Sequence, residues 1–447
     1  MNLADFSKAL ELPLQYYAPY FCPQSPYFSG EWSSVASNIS LPGCHYYDFL
    51  NVDPLQSKKF YGEFFDRGKA AGMYSFETDF MNQNYNCVPE FVETTDRADI
   101  WQQGMTQAAF ERGIPIQWCY GAPTDVLASL QQPAVTNFRV SFDFAYGRSW
   151  NIGLSSLLVG ALGLAPSKDT LWTTTNHYYI PKGCDWQPDH EMPAIELHAV
   201  LALMTTGPVG ISDAIGETDK NLLRRMVAKN GDLLQPSRAI VVTDSTFTNS
   251  GLRSEEAGYV YGTSAVGPSW VFVSFKLKES YQLGLQDFWP RLWSAEDQNS
   301  TSASSKQVFY RFYSQTIVGN NEEDLIHSTT ISKLQNSGVI SLPPSSFSNV
   351  TGGTDFAPVV TQVWTPCSTG GWTLLGEWDK YVPLSPVRFE TVNCHELGLT
   401  ASIKGTKGEV VTMAALDAQG NFLEKTLSFT TNGSLELSFD DSTAVSS

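Results

Sequence analysis

The run from Met73 to Asp143 reads MYSFETDFMNQNYNCVPEFVETTDRADIWQQGMTQAAFERGIPIQWCYGAPTDVLASLQQPAVTNFRVSFD. Three short apolar stretches stand out in it: Met73–Phe80, Ile114–Tyr120 and Thr136–Phe142. Between the first two, Thr95-Asp96 opens a helical pattern through Trp101, Met105, Ala109 and Phe110, and Gly113 closes it. Between the second and third, a shorter helix begins near Thr124. Strand and helix in strict alternation predict a parallel sheet with helical crossovers.

The same alternation extends outward on both sides. Upstream, Leu12–Phe21 (LPLQYYAPYF) reads as a strand ending in a loop. Asp53-Pro54 follows as an N-cap with proline at the first helical position. Leu55, Phe60, Phe64 and Ala71 approximate one face of that helix, and Gly72 stops it. Downstream come a helix over about Ser149–Leu162, a short strand at Leu171–Thr175, and a helix from Pro193 through Ala199 and Leu203. Thr206–Ile211 is the last strand of the series, and Thr218 caps a helix running to Arg225. A doubly wound dinucleotide fold would show a G-x-G-x-x-G after its first strand, and none is present. Polar and acidic residues instead close several different strands: Glu77, Asp79, Asp143, Asn176 and Asp213. An active site assembled from strand ends is the habit of a (β/α)8 barrel.

Beyond about Asn249 the pattern changes. Short alternating runs such as Tyr259–Tyr261, Trp270–Phe275, Val308–Tyr313, Gly371–Leu375, Val410–Met413 and Thr426–Thr430 are separated by Gly, Ser and Asn clusters. This predicts an all-β sandwich. The expected division is therefore a barrel domain over 1–248 and a sandwich domain over 249–447, with exposed low-complexity sequence at Asp297–Lys306.

Composition narrows the partners. The chain of 447 residues is 42% apolar and 17% charged, which fits a large core, and it carries a formal net charge of −18. Such a surface repels a nucleic-acid backbone. There is no polybasic anchor for anionic lipid, and the apolar stretch near Leu154–Leu164 is too short to span a bilayer. The seven Cys show no CxxC or zinc-type spacing, so neither a metal nor another cofactor is expected. Four N-x-[ST] sequons start at Asn38, Asn299, Asn349 and Asn432. They point to the secretory pathway, yet residues 1–30 lack the pattern of a signal peptide. Localisation stays open between a secreted or lumenal protein with an upstream leader and a cytoplasmic one. The sequence is silent on oligomeric state.

Glycoside cleavage needs two carboxyl groups flanking one bond. Asp79 and Asp143 each stand where an apolar strand gives way to a loop, although a carboxylate there also serves as a plain helix cap. Arg139-Val-Ser141-Phe-Asp143-Phe144 is followed by Gln187-Pro-Asp189-His-Glu191-Met192 and by Thr206-Gly-Pro-Val-Gly-Ile-Ser212-Asp213. Gly216, Leu222-Leu223, Gly231-Asp-Leu233-Leu234 and Pro236-Ser-Arg238 complete the series. In order and spacing, Thr136–Arg238 resembles family 36 of the glycoside hydrolases, in particular its raffinose-synthase and seed-imbibition branch within the α-galactosidase-like clan. That branch carries R-x-S-D-D-F, Q-P-D-W-D-M-F and GG-x-x-Y-V-S-D-x-x-G runs.

The resemblance implies a retaining hydrolase or transglycosidase for α-linked sugars, α-galactoside-like, with an oligosaccharide or glycoside as substrate. The family's nucleophile is the Asp of a K-x-D triplet, matched here by Glu77-Thr-Asp79, with Glu77 in place of the lysine. The acid/base position matches Asp143, four residues after Arg139, with Phe142 where the branch has a further Asp. Two carboxylates on one strand face raise the pKa of one of the pair, so Glu77 is the competing candidate for the reactive group. Trp172, Asn176, Trp186, Asp189, Glu191 and Asp213 fall where the family binds sugar. His198, on a helix, reads as a core histidine. The alternative function is a barrel that binds carbohydrate and has lost catalysis. By the family's strand numbering Leu12–Phe21 is the third strand. The expectation is thus a barrel lacking its first two strands, open between Leu12–Phe21 and Thr206–Ile211.

Overall fold

The computed structural model describes residues 3–44, 48–141, 152–174, 195–249, 258–267, 269–284, 287–288, 308–313, 331–334, 339–344 and 358–440. They fall into two compact units, Met1–Phe142 with Leu158–Ser167 and Asp143–Leu157 with Lys168–Ser447. The boundary expected at 248/249 lies inside the second unit, just before its main run of antiparallel strands.

The first unit holds a five-stranded parallel sheet in the order Leu14–Tyr17, Met73–Thr78, Ile116–Trp118, Val135–Arg139, Ala165–Ser167. The strands follow chain order, as successive crossovers require. Asp53 caps the first crossover by accepting from the Leu55 N–H at 2.9 Å, and a short 3-10 turn leads into the helix Ser57–Ala70. Gly72, at φ +92°, ends it in a conformation that costs glycine little. This helix packs Phe64 and Phe65 on Phe76 of the sheet, with ring centroids 5.7 and 5.3 Å apart. Phe60 lies at the centre of a wider aromatic cluster with Phe21, Tyr27, Phe28 and Trp32. The helical face differs from expectation at one end, because Leu55 is 70% exposed. The second crossover helix, Arg97–Phe110, buries Trp101, Met105 and Ala109 but leaves Phe110 outside. A disulfide joins Cys44 and Cys87, with Cα atoms 5.5 Å apart.

Downstream of Val135–Arg139 the expected strands are displaced. The fifth strand is Ala165–Ser167, and the segment expected to be a strand at Leu171–Thr175 contributes a single parallel bridge, Leu171 to Ile211. Thr206–Ile211 is reduced to that same bridge. The helix expected from Thr218 starts instead at Lys220, with Asp219 as its cap, accepting from the N–H groups of Asn221 and Leu222. The helix Ile195–Met204 is buried on all sides from Leu197 onward, as its uniform apolarity requires.

The rest of the second unit is antiparallel. A six-stranded sheet runs Ser332–Lys333, Phe309–Tyr313, Val359–Trp364, Ser269–Phe275, Tyr259–Ser264, Val241–Val242. Its residues Val260, Trp270, Phe272 and Val363 share one buried cluster with Leu283, Ile340 and Leu342 of a two-stranded sheet, so two layers face each other. Two three-stranded sheets follow between Thr373 and Asp440. Cys367 and Cys394 are bridged, with Cα atoms 6.0 Å apart.

Candidate active site

Side chains alternate across a strand, and here the two faces of the parallel sheet have opposite character. Phe76 and Thr78 point at the crossover helices, where Thr78 lies 3.8 Å from the Met105 sulfur. The opposite face carries Gln15 and Tyr17, then Ser75 and Glu77, then Gln117, then Asn137 and Arg139. Glu77 is held from both sides. Gln15 Nε2 donates to its Oε2 at 3.3 Å, and Gln117 Nε2 to its Oε1 at 3.2 Å. Gln15 Nε2 also donates to Gln117 Oε1 at 3.1 Å, and Asn137 Nδ2 to Ser167 Oγ at 3.2 Å. A complete barrel usually fills this face with branched apolar residues. A row of amides around a carboxylate is a surface for hydroxyl groups instead.

Asp79 follows Met73–Thr78 directly and is 8% exposed. Its Oδ1 accepts from the Phe80 N–H at 2.6 Å and its Oδ2 from the Tyr17 hydroxyl at 2.9 Å. The Asp79 carbonyl accepts from Asn84 Nδ2 at 3.0 Å, and the buried Asn84 is itself fixed by the Asn51 amide at 2.8 Å. Phe80 adopts the left-handed conformation, φ 52° and ψ 40°. Tyr120, after the neighbouring strand, has φ 49°. Such residues cost on the order of 1–3 kcal/mol each and collect at functional sites. The two rings pack at 5.4 Å, Tyr20 lies 6.1 Å from Phe80, and the Arg139 guanidinium sits over the Tyr120 ring at 5.3 Å. The C-terminal ends of adjacent strands thus carry a half-buried aromatic rim around one carboxylate. Burial, then the charge and hydrogen bond of Asp79, then Cys119 and Glu77, push the Tyr17 phenol up. Burial above all keeps the Cys119 thiol protonated, against the opposing charge of Arg139.

Of the residues singled out in the sequence, Glu77, Asp79 and Arg139 come together on this sheet. Trp172 and Asp213 belong to the second unit. There the Asp213 carboxylate accepts from the Thr173 N–H at 2.7 Å and from its hydroxyl at 2.6 Å, a bond pair that closes the loop after the Leu171–Ile211 bridge. Trp172 is half-buried beside it. Asp143, Asn176, Trp186, Asp189 and Glu191 lie outside the described residues. His198 is fully buried, and burial followed by the charge of Lys168 holds its imidazole well below the usual range. Among the described residues no group of three or more His, Cys, Asp and Glu is placed to hold a metal ion. Sequence reasoning missed Gln15, Gln117 and Asn84. The first two were within reach, since strand alternation puts Gln15 on the face of Tyr17 and Gln117 on that of Cys119.

No family model and no curated protein matches the sequence. Solved structures do resemble it. Several of them are glycoside hydrolases. A family 97 enzyme from Pseudoalteromonas sp. strain K8, in complex with panose, is 10% identical over 82% of this chain and 49% of its own, with a TM-score of 0.40. An alpha-galactosidase from Thermus thermophilus, in complex with stachyose, is 15% identical over 50% of this chain and 51% of its own, with a TM-score of 0.32. A family 31 sulfoquinovosidase from E. rectale, with an aza-sugar inhibitor, is 11% identical over 80% and 52%, with a TM-score of 0.37. The chain spans about half the length of each of these. At these identities and scores none assigns an activity to it.

Proposed function

We propose that this chain is a retaining glycosidase or transglycosidase for α-linked sugars, α-galactoside-like, built on a (β/α)8-type barrel. Asp79 is the nucleophile and Asp143 the acid/base. The observation that carries the reading is the Asp79 carboxylate at the C-terminal end of a parallel strand, with one oxygen on Tyr17 and the other on the Phe80 N–H. In the first step Asp79 attacks the anomeric carbon while Asp143 protonates the departing oxygen. In the second, Asp143 takes a proton from water as that water displaces Asp79. Glu77 holds sugar hydroxyls together with Gln15 and Gln117. Arg139, Trp172, Asn176, Trp186, Asp189, Glu191 and Asp213 are assigned to sugar binding by the sequence resemblance.

A second reading is a barrel that binds carbohydrate without turnover. The near-complete burial of Asp79 favours it. A panel of 4-nitrophenyl α- and β-glycosides separates the two. The enzyme reading requires hydrolysis of an α-linked member that Asp79→Ala loses. Glycan binding with no turnover of any member supports the second.

A further inference from the structure

Tyr17 and Asp79 sit on adjacent parallel strands, where register places Tyr17 opposite Glu77 and so brings its ring level with the end of the next strand. The phenol reaches across to Asp79 Oδ2 at 2.9 Å. The two partners differ sharply in access, since Tyr17 is 52% exposed and Asp79 only 8%. The titratable groups that act on the Tyr17 phenol are Glu77 on the neighbouring strand, Asp79 just past its end, and Cys119 after the strand beyond. In the catalytic reading the position two residues before the nucleophile is a lysine in the resembling family, and here it is Glu77. No cation is supplied from that position; the Asp79 carboxylate accepts from the Tyr17 phenol and the Phe80 N–H, with the Cys119 thiol beside it.

We propose that Tyr17 is the positioning residue of Asp79: its hydroxyl holds the carboxylate in the attacking rotamer and stabilises the negative charge that the missing lysine would otherwise face. This rests on Asp79 being the nucleophile. The phenol keeps its proton throughout. As the Asp79 oxygen bonds to the anomeric carbon and the glycosidic C–O bond breaks, the carboxylate loses its charge and the hydrogen bond weakens. As water displaces Asp79, the charge returns and the bond strengthens, so Tyr17 assists departure of the nucleophile in the second step. A hydrogen bond to a charged group has the strength to change a rate roughly 10- to 100-fold.

Two measurements on the full chain test this. The first needs no activity. With tyrosine labelled at Cζ with carbon-13, and the Tyr17 signal identified by its loss in Tyr17→Phe, the ring is titrated in the wild-type chain and in Asp79→Ala. A bond to an ionised Asp79 requires Tyr17 to titrate lower in Asp79→Ala by about one pH unit or more. Identical titration in the two chains overturns the proposal whatever the activity. The second uses the best α-glycoside of the 4-nitrophenyl panel. Tyr17→Phe should lower kcat roughly 10- to 100-fold, leave KM nearly unchanged, and move the acid limb of the pH–rate profile to higher pH. Loss of rate with an unmoved acid limb, or wild-type kcat, overturns the positioning role while leaving Asp79 in place. Turnover that survives Asp79→Ala, or no turnover of any panel member by the wild-type chain, overturns the reaction assignment itself, and Tyr17's role falls with it.

Discussion

At the scale of single residues, two carboxylates on one strand face compete for the reactive role. Glu77 is engaged by two amides, and Asp79 by a phenol and a backbone N–H. The difference gives a discriminating prediction. Glu77→Gln keeps the shape and most of the hydrogen-bonding row, so it should raise KM while kcat on the best panel glycoside stays within about tenfold. Loss of all turnover in Glu77→Gln would move the reactive role to Glu77. Asp79 was legible as a strand-end carboxylate because an apolar period-2 run stops just before it. Its partner Tyr17 was not, because the bond crosses 62 residues of sequence and depends on strand register. Register between parallel strands is set by packing of the crossovers, which no local pattern reports.

At the scale of elements, the alternation of strands and helices over Met73–Asp143 was readable because each run is short, apolar and punctuated by Asp, Pro or Gly. The strand Ala165–Ser167 was overlooked for an intelligible reason. Pro166 lacks an N–H and so argues against a strand interior, but this strand is at the edge of the sheet, where the missing donor is tolerated. The exposure of Leu55 and Phe110 was likewise hidden, since helical spacing marks a face and does not say how much of it the neighbouring element covers. The close approach of Ser57–Ala70 and Arg97–Phe110 was hidden too. A Cβ at Gly104 would come 1.9 Å from Ser57 Oγ and 2.7 Å from the Lys58 backbone nitrogen. Gly104→Ala should therefore destabilise the chain by about 1–3 kcal/mol, read as a lower urea midpoint at unchanged m-value. An unchanged midpoint would show that the helices separate freely.

At the scale of the whole molecule, composition and sheet content were legible, whereas the ion cluster that knits the last sheets together was not. Arg388 donates to Glu409 at 2.6 Å and to Glu377 at 2.8 Å, all three buried. Burial acts against the Glu409 charge, but Arg388 and the N–H groups of Lys229 and Thr406 hold its carboxyl down at about 2. Its stabilising contribution is thus present above the ordinary value of 4.5 and is lost as pH falls toward 2. Glu377 runs the other way, pushed up chiefly by burial, so its contribution is lost as pH rises. Urea unfolding should find Glu409→Gln less stable than wild type above pH 4.5, with the gap closing toward pH 2; a gap independent of pH would remove the charge from the explanation. Azide gives the sharpest test of Asp79 as the nucleophile. On the best α-glycoside of the panel, Asp79→Ala should be inactive alone and, with azide added, should release a glycosyl azide of inverted β configuration, because the external anion takes the place of the missing carboxylate. Undiminished hydrolysis by Asp79→Ala without azide, or formation of the retained product when azide is present, would contradict it.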